Sequence, residues 1–439
     1  MSNLQIGFGR TNITPMERVP LAGYGNTSRR ISTTILDFLY ATCAAISDEN
    51  ETVLLYHLDL TSAFTEYMER FIPAIAAETG VKEDNIFLCN THNHSAPDFE
   101  NKNHETSLRY VEFLEKNLLA AAKAALDDRK PVKKMQVGSI ETEGMNFVRR
   151  YVLADGTYAG DNYGHFEESP IACHESEPDR ALQLVKFVRD GGKDMVLGNF
   201  QMHPHRTGGG RKPVVSSDIV GVMRDTLEKD TGVHFLYFTG GSGNVNGHSM
   251  VKEENITPDH TAHGKAMAEY AKKVQFRDVD MGPVKAVKKV VSLPVDHSQD
   301  HRVEDAQKFY DYWMEGHKRS VWLPVAKKMG FNSPYQAQAI MKKALLGSHL
   351  EMPIWAFRVG DVGFACAPYE MFDTNGVQIK ESSPFETTVI CTCTNGRYAY
   401  IPSKLGFEHG GYSVDICRYT PGVGEMLAEE YVELLKRIK

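Results

Sequence analysis

The chain has 439 residues, 42% hydrophobic and 24% charged, with a formal charge of −8 and a pI near 6.1. This is globular material with enough length for a large core, and its acidity argues against nucleic-acid or anionic-membrane partners. No apolar run is long enough to cross a bilayer, the first ten residues are polar and Gly-rich, and seven cysteines set up no disulfide framework, so a reducing cytoplasm is expected.

Residues 6–15 read as a short strand stopped by Pro15, and 21–25 as a glycine-punctuated loop. Residues 36–47 and 52–60 read as paired strands. Asp59, near the end of the second, reads either as a ligand or orienter or as a helix N-cap ahead of Thr61-Ser-Ala-Phe. Helical periodicity runs over 66–79 and 107–127. Between those helices, residues 85–97 form an apolar strand that opens into Thr91-His-Asn-His-Ser-Ala-Pro97. His92 and His94 are two apart and share a face if the extended backbone runs on. Such a pair can supply a metal ligand and a proton carrier to one pocket; two solvated histidines at a strand exit are the alternative.

Strand character returns over 135–153, where Arg149 and Arg150 should face opposite sides, one toward an anion or polarised carbonyl and the other toward solvent. Residues 160–178 read as a long loop bearing His165 and His174. The strand over 195–202 opens into His203-Pro-His-Arg and a glycine run, as the earlier one opens into His92 and His94. Ser216-Ser-Asp begins a helix with N-cap chemistry. A glycine-rich loop, Thr239-Gly-Gly-Ser-Gly-Asn-Val-Asn-Gly247, follows the next strand but has no phosphate-loop or dinucleotide fingerprint. Its backbone N–H groups can still face an oxyanion or a metal-bound group. Residues 302–347 read as a charged, helical insertion covering the core. A hairpin turning at Gly360-Asp361 leads to Glu370, a carboxylate that needs a cation or a proton if it is desolvated. The last core strand, 387–394, carries Cys391 and Cys393 as packing residues and opens toward Tyr400 and Tyr412; an amphipathic helix follows. Strand–helix alternation defines an α/β protein, read as one unit over 1–439 with the helical insertion at about 300–350.

The order of Gly9-Arg-Thr-Asn-Ile-Thr-Pro15, Gly23-Tyr-Gly25, Thr91 to Pro97, Asn146 to Arg149, His203-Pro204, Ser217-Asp218, the Gly-Asn loop, Pro368-Tyr-Glu370 and Tyr400 to Tyr412 resembles the neutral/alkaline ceramidase family, its shorter bacterial relatives most. The resemblance covers nearly the whole chain. It implies stacked mixed β-sheets flanked by helices and a zinc-dependent N-acyl amidohydrolase, with no C-terminal β-sandwich domain in this sequence. It implies zinc held by His92, His203, Glu370 and Tyr400, His94 as the proton carrier, Arg149 near the reacting carbonyl and Tyr412 as a second active-site tyrosine. The family's substrate-contacting serine falls at Gly240, beside Gly241 and Ser242, and Asn244 stands where the family often has Asp. Gly240 together with the missing β-sandwich domain sets ceramide itself apart from the expectation and leaves the ligands intact, while Gly240 and Asn244 together keep open metal binding without catalysis. The expected reaction is attack of a metal-bound water on the N-acyl bond of a small soluble substrate, without stable membrane association. An ester, lactone or sugar-linked bond, or metal binding without catalysis, are the alternatives.

Overall fold

Nine strands make the larger sheet: β1 (Gln5–Asn12), β2 (Tyr40–Ser47), β3 (Thr52–Leu58), β4 (Ile86–Asn90), β5 (Lys130–Glu141), β6 (Ala181–Arg189), β7 (Met195–Phe200), β8 (His234–Thr239) and β9 (Arg277–Val279). Their order is β8-β7-β6-β5-β1-β2-β3-β4, with β9 added beside β5. The computed structural model describes residues 3–24, 30–62, 65–160, 169–207 and 212–439. Gly25, the Ala63-Phe64 pair, His165 and the glycine run 208–210 lie outside the described residues.

Four further strands, β10 (Val284–Pro294), β11 (His349–Val359), β12 (Val362–Cys366) and β13 (Thr387–Cys391), form a second sheet in that order. Most pairings are antiparallel, but β3–β4, β7–β8 and β12–β13 are parallel. The sheets stack face to face, and the Phe87 ring of one lies 4.8 Å from the Phe357 ring of the other. Phe357 in turn stacks on Phe364 at 4.2 Å. Strands covered on both faces need near-continuous apolar sequence, which is why β3, β4, β7 and β12 read as runs and not as alternations.

Helices cover the outer faces. α1 (Thr65–Thr79) and α2 (Glu105–Asp127) lie over β1 to β4, and α3 (Asp218–Thr231) and α4 (His260–Lys273) over β6 to β8. α2 turns Tyr110, Val111, Leu114, Leu118, Ala121 and Ala125 inward at three- and four-residue spacing. It approaches β1 so closely that a Cβ on Gly9 would sit 2.0 Å from the Ala121 carbonyl oxygen. α5 (Val303–Met314), α6 (Arg319–Met329) and α7 (Pro334–Lys343) occupy the expected helical stretch and share a small core of their own around Phe309, Phe331 and Ile340. α8 (Asp373–Ser382) and α11 (Val423–Ile438) back the second sheet, and two short helices, α9 (Lys404–His409) and α10 (Tyr412–Asp415), precede α11. Among the described residues, no helix is long and apolar enough to cross a membrane.

The larger sheet curls until β8 returns toward β3. Tyr237 N donates to His57 Nδ1 at 2.8 Å, and Thr239 Oγ1 donates to the Thr91 carbonyl at 2.8 Å. Since His57 Nδ1 accepts, its Nε2 carries the proton and donates to Asp59 at 2.9 Å. Asp59 also receives Arg224 Nη1 at 2.6 Å and Tyr40 N at 2.9 Å. Burial alone would raise its pKa, but Arg224 and His57 hold it well below the usual carboxylate range. Asp59 is thus neither ligand nor N-cap: it anchors a buried ion pair under the site, and α1 begins at Thr65.

Candidate metal centre

The residues of the centre hang from the C-terminal ends of core strands. His92 and His94 follow β4, His203 follows β7, Glu370 follows β12, and Tyr400 follows β13. These strands all take part in the parallel pairings, which put their carboxyl ends on one edge. Glu370 and Tyr400 are brought side by side by a two-residue parallel bridge, Glu370–Met371 against Tyr400–Ile401.

β4 does not run on into the histidines. It ends at Asn90, and His92 has φ 65°, in the left-handed region. A non-glycine residue there is strained by about 1–3 kcal/mol and persists only where its surroundings fix it. Here His92 N donates to the Leu60 carbonyl at 2.9 Å, and Nδ1 donates to the Thr61 carbonyl at 2.8 Å. The extended backbone expected through His92 is therefore a turn, yet the two rings still lie 5.1 Å apart. Cys393, Asn395 and Ala399, on the segment that leads to Tyr400, also have positive φ.

The imidazoles of His92, His94 and His203 converge, with one nitrogen of each within 4.8 Å of the others, and all three are buried. Glu370 joins them: its Oε2 lies 3.3 Å from His92 Nε2 and 3.1 Å from His203 Nε2. His203 Nδ1 donates to the Ser242 carbonyl at 2.6 Å. A carbonyl only accepts, so both Nδ1 atoms carry protons, and both Nε2 atoms present lone pairs to one carboxylate oxygen. That arrangement is repulsive without a cation.

One proton relieves one of the two contacts. Burial opposes a proton on His92, but Cys393 and Glu370 beside it favour one and raise its pKa. His203 is held at about 4, by burial first and then by Arg149, so it stays neutral. Burial would raise Glu370, but His92 and His203 carry it well below the ordinary range. A divalent ion would satisfy all three donors together, and two imidazoles with a carboxylate are a donor set that zinc accepts. The backbone carbonyls of Thr61 and Ser242 supply the outer hydrogen bonds that such ligands need.

Around this core, Arg149 Nη2 donates to Tyr400 Oη at 3.0 Å and to the Gly243 carbonyl at 2.8 Å. Arg150 does not meet solvent as expected; it is buried against Glu175, with contacts of 2.7 and 3.0 Å. The Tyr412 ring lies 6.0 Å from that of Tyr400. Burial, then the Glu370 charge, pushes its hydroxyl up to about 12, so it remains a donor at neutral pH. His94 is kept neutral by burial and by the two imidazoles beside it, and its Nδ1 has no hydrogen-bond partner. It is placed by close contact with Gly23: at φ 106° a Cβ there would lie 2.5 Å from His94 Cγ.

A cavity of about 760 Å³ opens onto His92, His94, Glu370, Tyr400 and Tyr412. Gly240, Gly241 and Ser242 are not among its lining residues; they lie beneath, where the Ser242 carbonyl holds His203. Asn244 pins this loop to α8 through paired bonds with Asp373 of 2.7 and 2.9 Å. Sequence reading missed the Thr61 carbonyl, His205, whose ring lies 5.3 Å from that of His94, and Cys393, whose sulfur lies 3.4 Å from His92 Nδ1. Only His205 carried a signal, as the second histidine of His203-Pro-His205.

No protein-family model matches this chain, and no curated protein sequence does. Solved structures do. A neutral ceramidase from Pseudomonas aeruginosa aligns over 100% of this chain and 75% of its own, at TM-score 0.72 and 15% identity. A ceramidase complexed with C2 aligns over 100% and 76%, at TM-score 0.71 and 15% identity. The chain is an α/β protein with the neutral-ceramidase-like fold, and at this identity the likeness is one of fold.

Proposed function

We propose that this protein is a zinc-dependent hydrolase that cleaves the N-acyl bond of a small, soluble substrate. The observation that carries the reading is the pair of carbonyl-locked imidazoles facing a single carboxylate oxygen at the floor of an open cavity. Its fold, shared with solved ceramidase structures, supports amide-bond hydrolysis as the reaction class. His92, His203 and Glu370 would hold the ion, with Tyr400 as the fourth donor and Arg149 stabilising the phenolic oxygen. What a divalent ion supplies at such a centre is Lewis acidity, toward a water molecule and toward an acyl oxygen.

The other roles belong to side chains of the cavity. His94 accepts a proton from the attacking water and returns it to the departing amine. The Tyr412 hydroxyl donates to the oxygen on which negative charge develops. Gly23 keeps the His94 ring in place. Elemental analysis of the purified protein, followed by assays of metal-loaded protein on acyl-amide and ester panels, tests the reading. One zinc per chain and turnover of amides is the expected result. Ester cleavage without amide cleavage would overturn the assigned bond, and a protein without metal would overturn the centre.

A further inference from the structure

Across the cavity from the centre stands α7. Tyr335, Gln338, Ala339 and Lys342 line the cavity from that helix. Their spacing of three, four and seven places them on one helical face. The facing rim carries Glu100, Asn101, Asn103 and Arg397. Arg397 is committed to Glu100, with Nη1 at 2.9 Å from Oε2. Asp98 also lines the cavity but is buried.

Lys342 is different. Its side chain is exposed at the rim, and no carboxylate among the described residues comes within ion-pair distance. Partial desolvation, and then the neighbouring guanidinium groups of Arg418 and Arg397, lower its pKa. An ammonium without a counter-ion at the mouth of a cavity is an arrangement that an anionic ligand relieves. Beside Lys342, Gln338 on the same helix and Asn101 and Asn103 on the loop add hydrogen-bonding amides that a carboxylate can also use.

Resting on the amidohydrolase reading above, we infer that the substrate carries an anionic group, a carboxylate as in N-acyl amino acids, which Lys342 receives at the rim while the acyl carbon lies at the centre. Carboxylate recognition by a single ammonium acts as a point charge, and it should appear in KM more than in kcat.

The test uses zinc-supplemented protein and a panel of N-acetyl amino acids, each assayed beside its uncharged primary carboxamide. Wild-type protein should favour the acid by roughly ten-fold in kcat/KM. Lys342→Ala should bring that ratio close to one, and Lys342→Arg should keep most of it. Equal rates on acid and carboxamide in the wild type, or an unchanged ratio in Lys342→Ala, would overturn the inference and leave amide hydrolysis standing. If no acyl amide is cleaved, the functional reading falls instead, and calorimetric titration with the same pairs decides the anion site. Tighter wild-type binding of the acid, with the difference lost in Lys342→Ala, supports it. Equal binding, or no binding of the acid, overturns it.

Discussion

His92 and His94 are separated by one residue, and substitution separates their roles. His92→Ala removes a nitrogen that faces Glu370 at 3.3 Å and should empty the centre, with loss of nearly all activity. His94→Ala should keep the metal and lower kcat by roughly 10²–10⁴, the usual contribution of a positioned acid–base group. Metal content and turnover measured on both variants check this, and an emptied centre in His94→Ala beside a full one in His92→Ala would exchange the roles. At this scale the sequence shows residue types and their place at strand exits. It does not show the left-handed backbone of His92, because the Leu60 and Thr61 carbonyls that fix it belong to another strand exit. Nor does it show the contact of His92 with Cys393, which joins positions 301 residues apart. Cys393 reads as a packing residue, and it is buried, but its sulfur also touches the ring of His92.

Among the elements, α7 and α10 form one wall of the cavity, and Asp415 fastens them together. Its carboxylate accepts Asn332 Nδ2 at 3.0 Å and Gln336 Nε2 at 2.9 Å. Burial nevertheless raises its pKa to about 6, above an unfolded value of about 3.9. The folded state therefore holds this proton more tightly than the unfolded state. The stability Asp415 contributes is fully present below about pH 4 and is lost as the pH rises through 6. Urea titrations at pH 4.5 and 7 should show the wild type losing stability relative to Asp415→Asn over that interval; a constant difference would contradict the assignment. Strand and helix periods were legible here, and the helical stretch after residue 302 is three helices. Boundaries were less so. The expected strand over 36–47 begins only at Tyr40, because the backbone just before it, Thr34 to Leu36, pairs instead with Val214 and Val215 from a distant segment. Asp59 was ambiguous for the same reason: Arg224, which decides its role, lies 165 residues away.

For the molecule as a whole, the contact between the two sheets matters most. Phe357 stacks on Phe87 across that contact and on Phe364 within its own sheet. Phe357→Ala should cost about 3–5 kcal/mol of unfolding free energy through lost burial and the cavity left behind. A change below 1 kcal/mol by urea denaturation would show that the sheets do not depend on this contact. Apolar runs in the sequence announce strands covered on both faces, but they do not say which strand neighbours which. That β1 lies between β2 and β5, and that the sheet curls until Tyr237 reaches His57, follow from pairings no local pattern encodes.

The spread of the centre along the chain bears on how the protein is made. His92 and His203 leave the ribosome well before Glu370 and Tyr400, so the growing chain holds two imidazoles whose carboxylate has not yet been synthesised. The strands that lead to Glu370 and Tyr400 belong to the second sheet, and until that sheet docks the first histidines have no carboxylate to face. If the centre takes zinc as proposed, truncated products made before this point lack two of its four proposed donors, and full-strength uptake of the ion would mark the chains in which both sheets have come together.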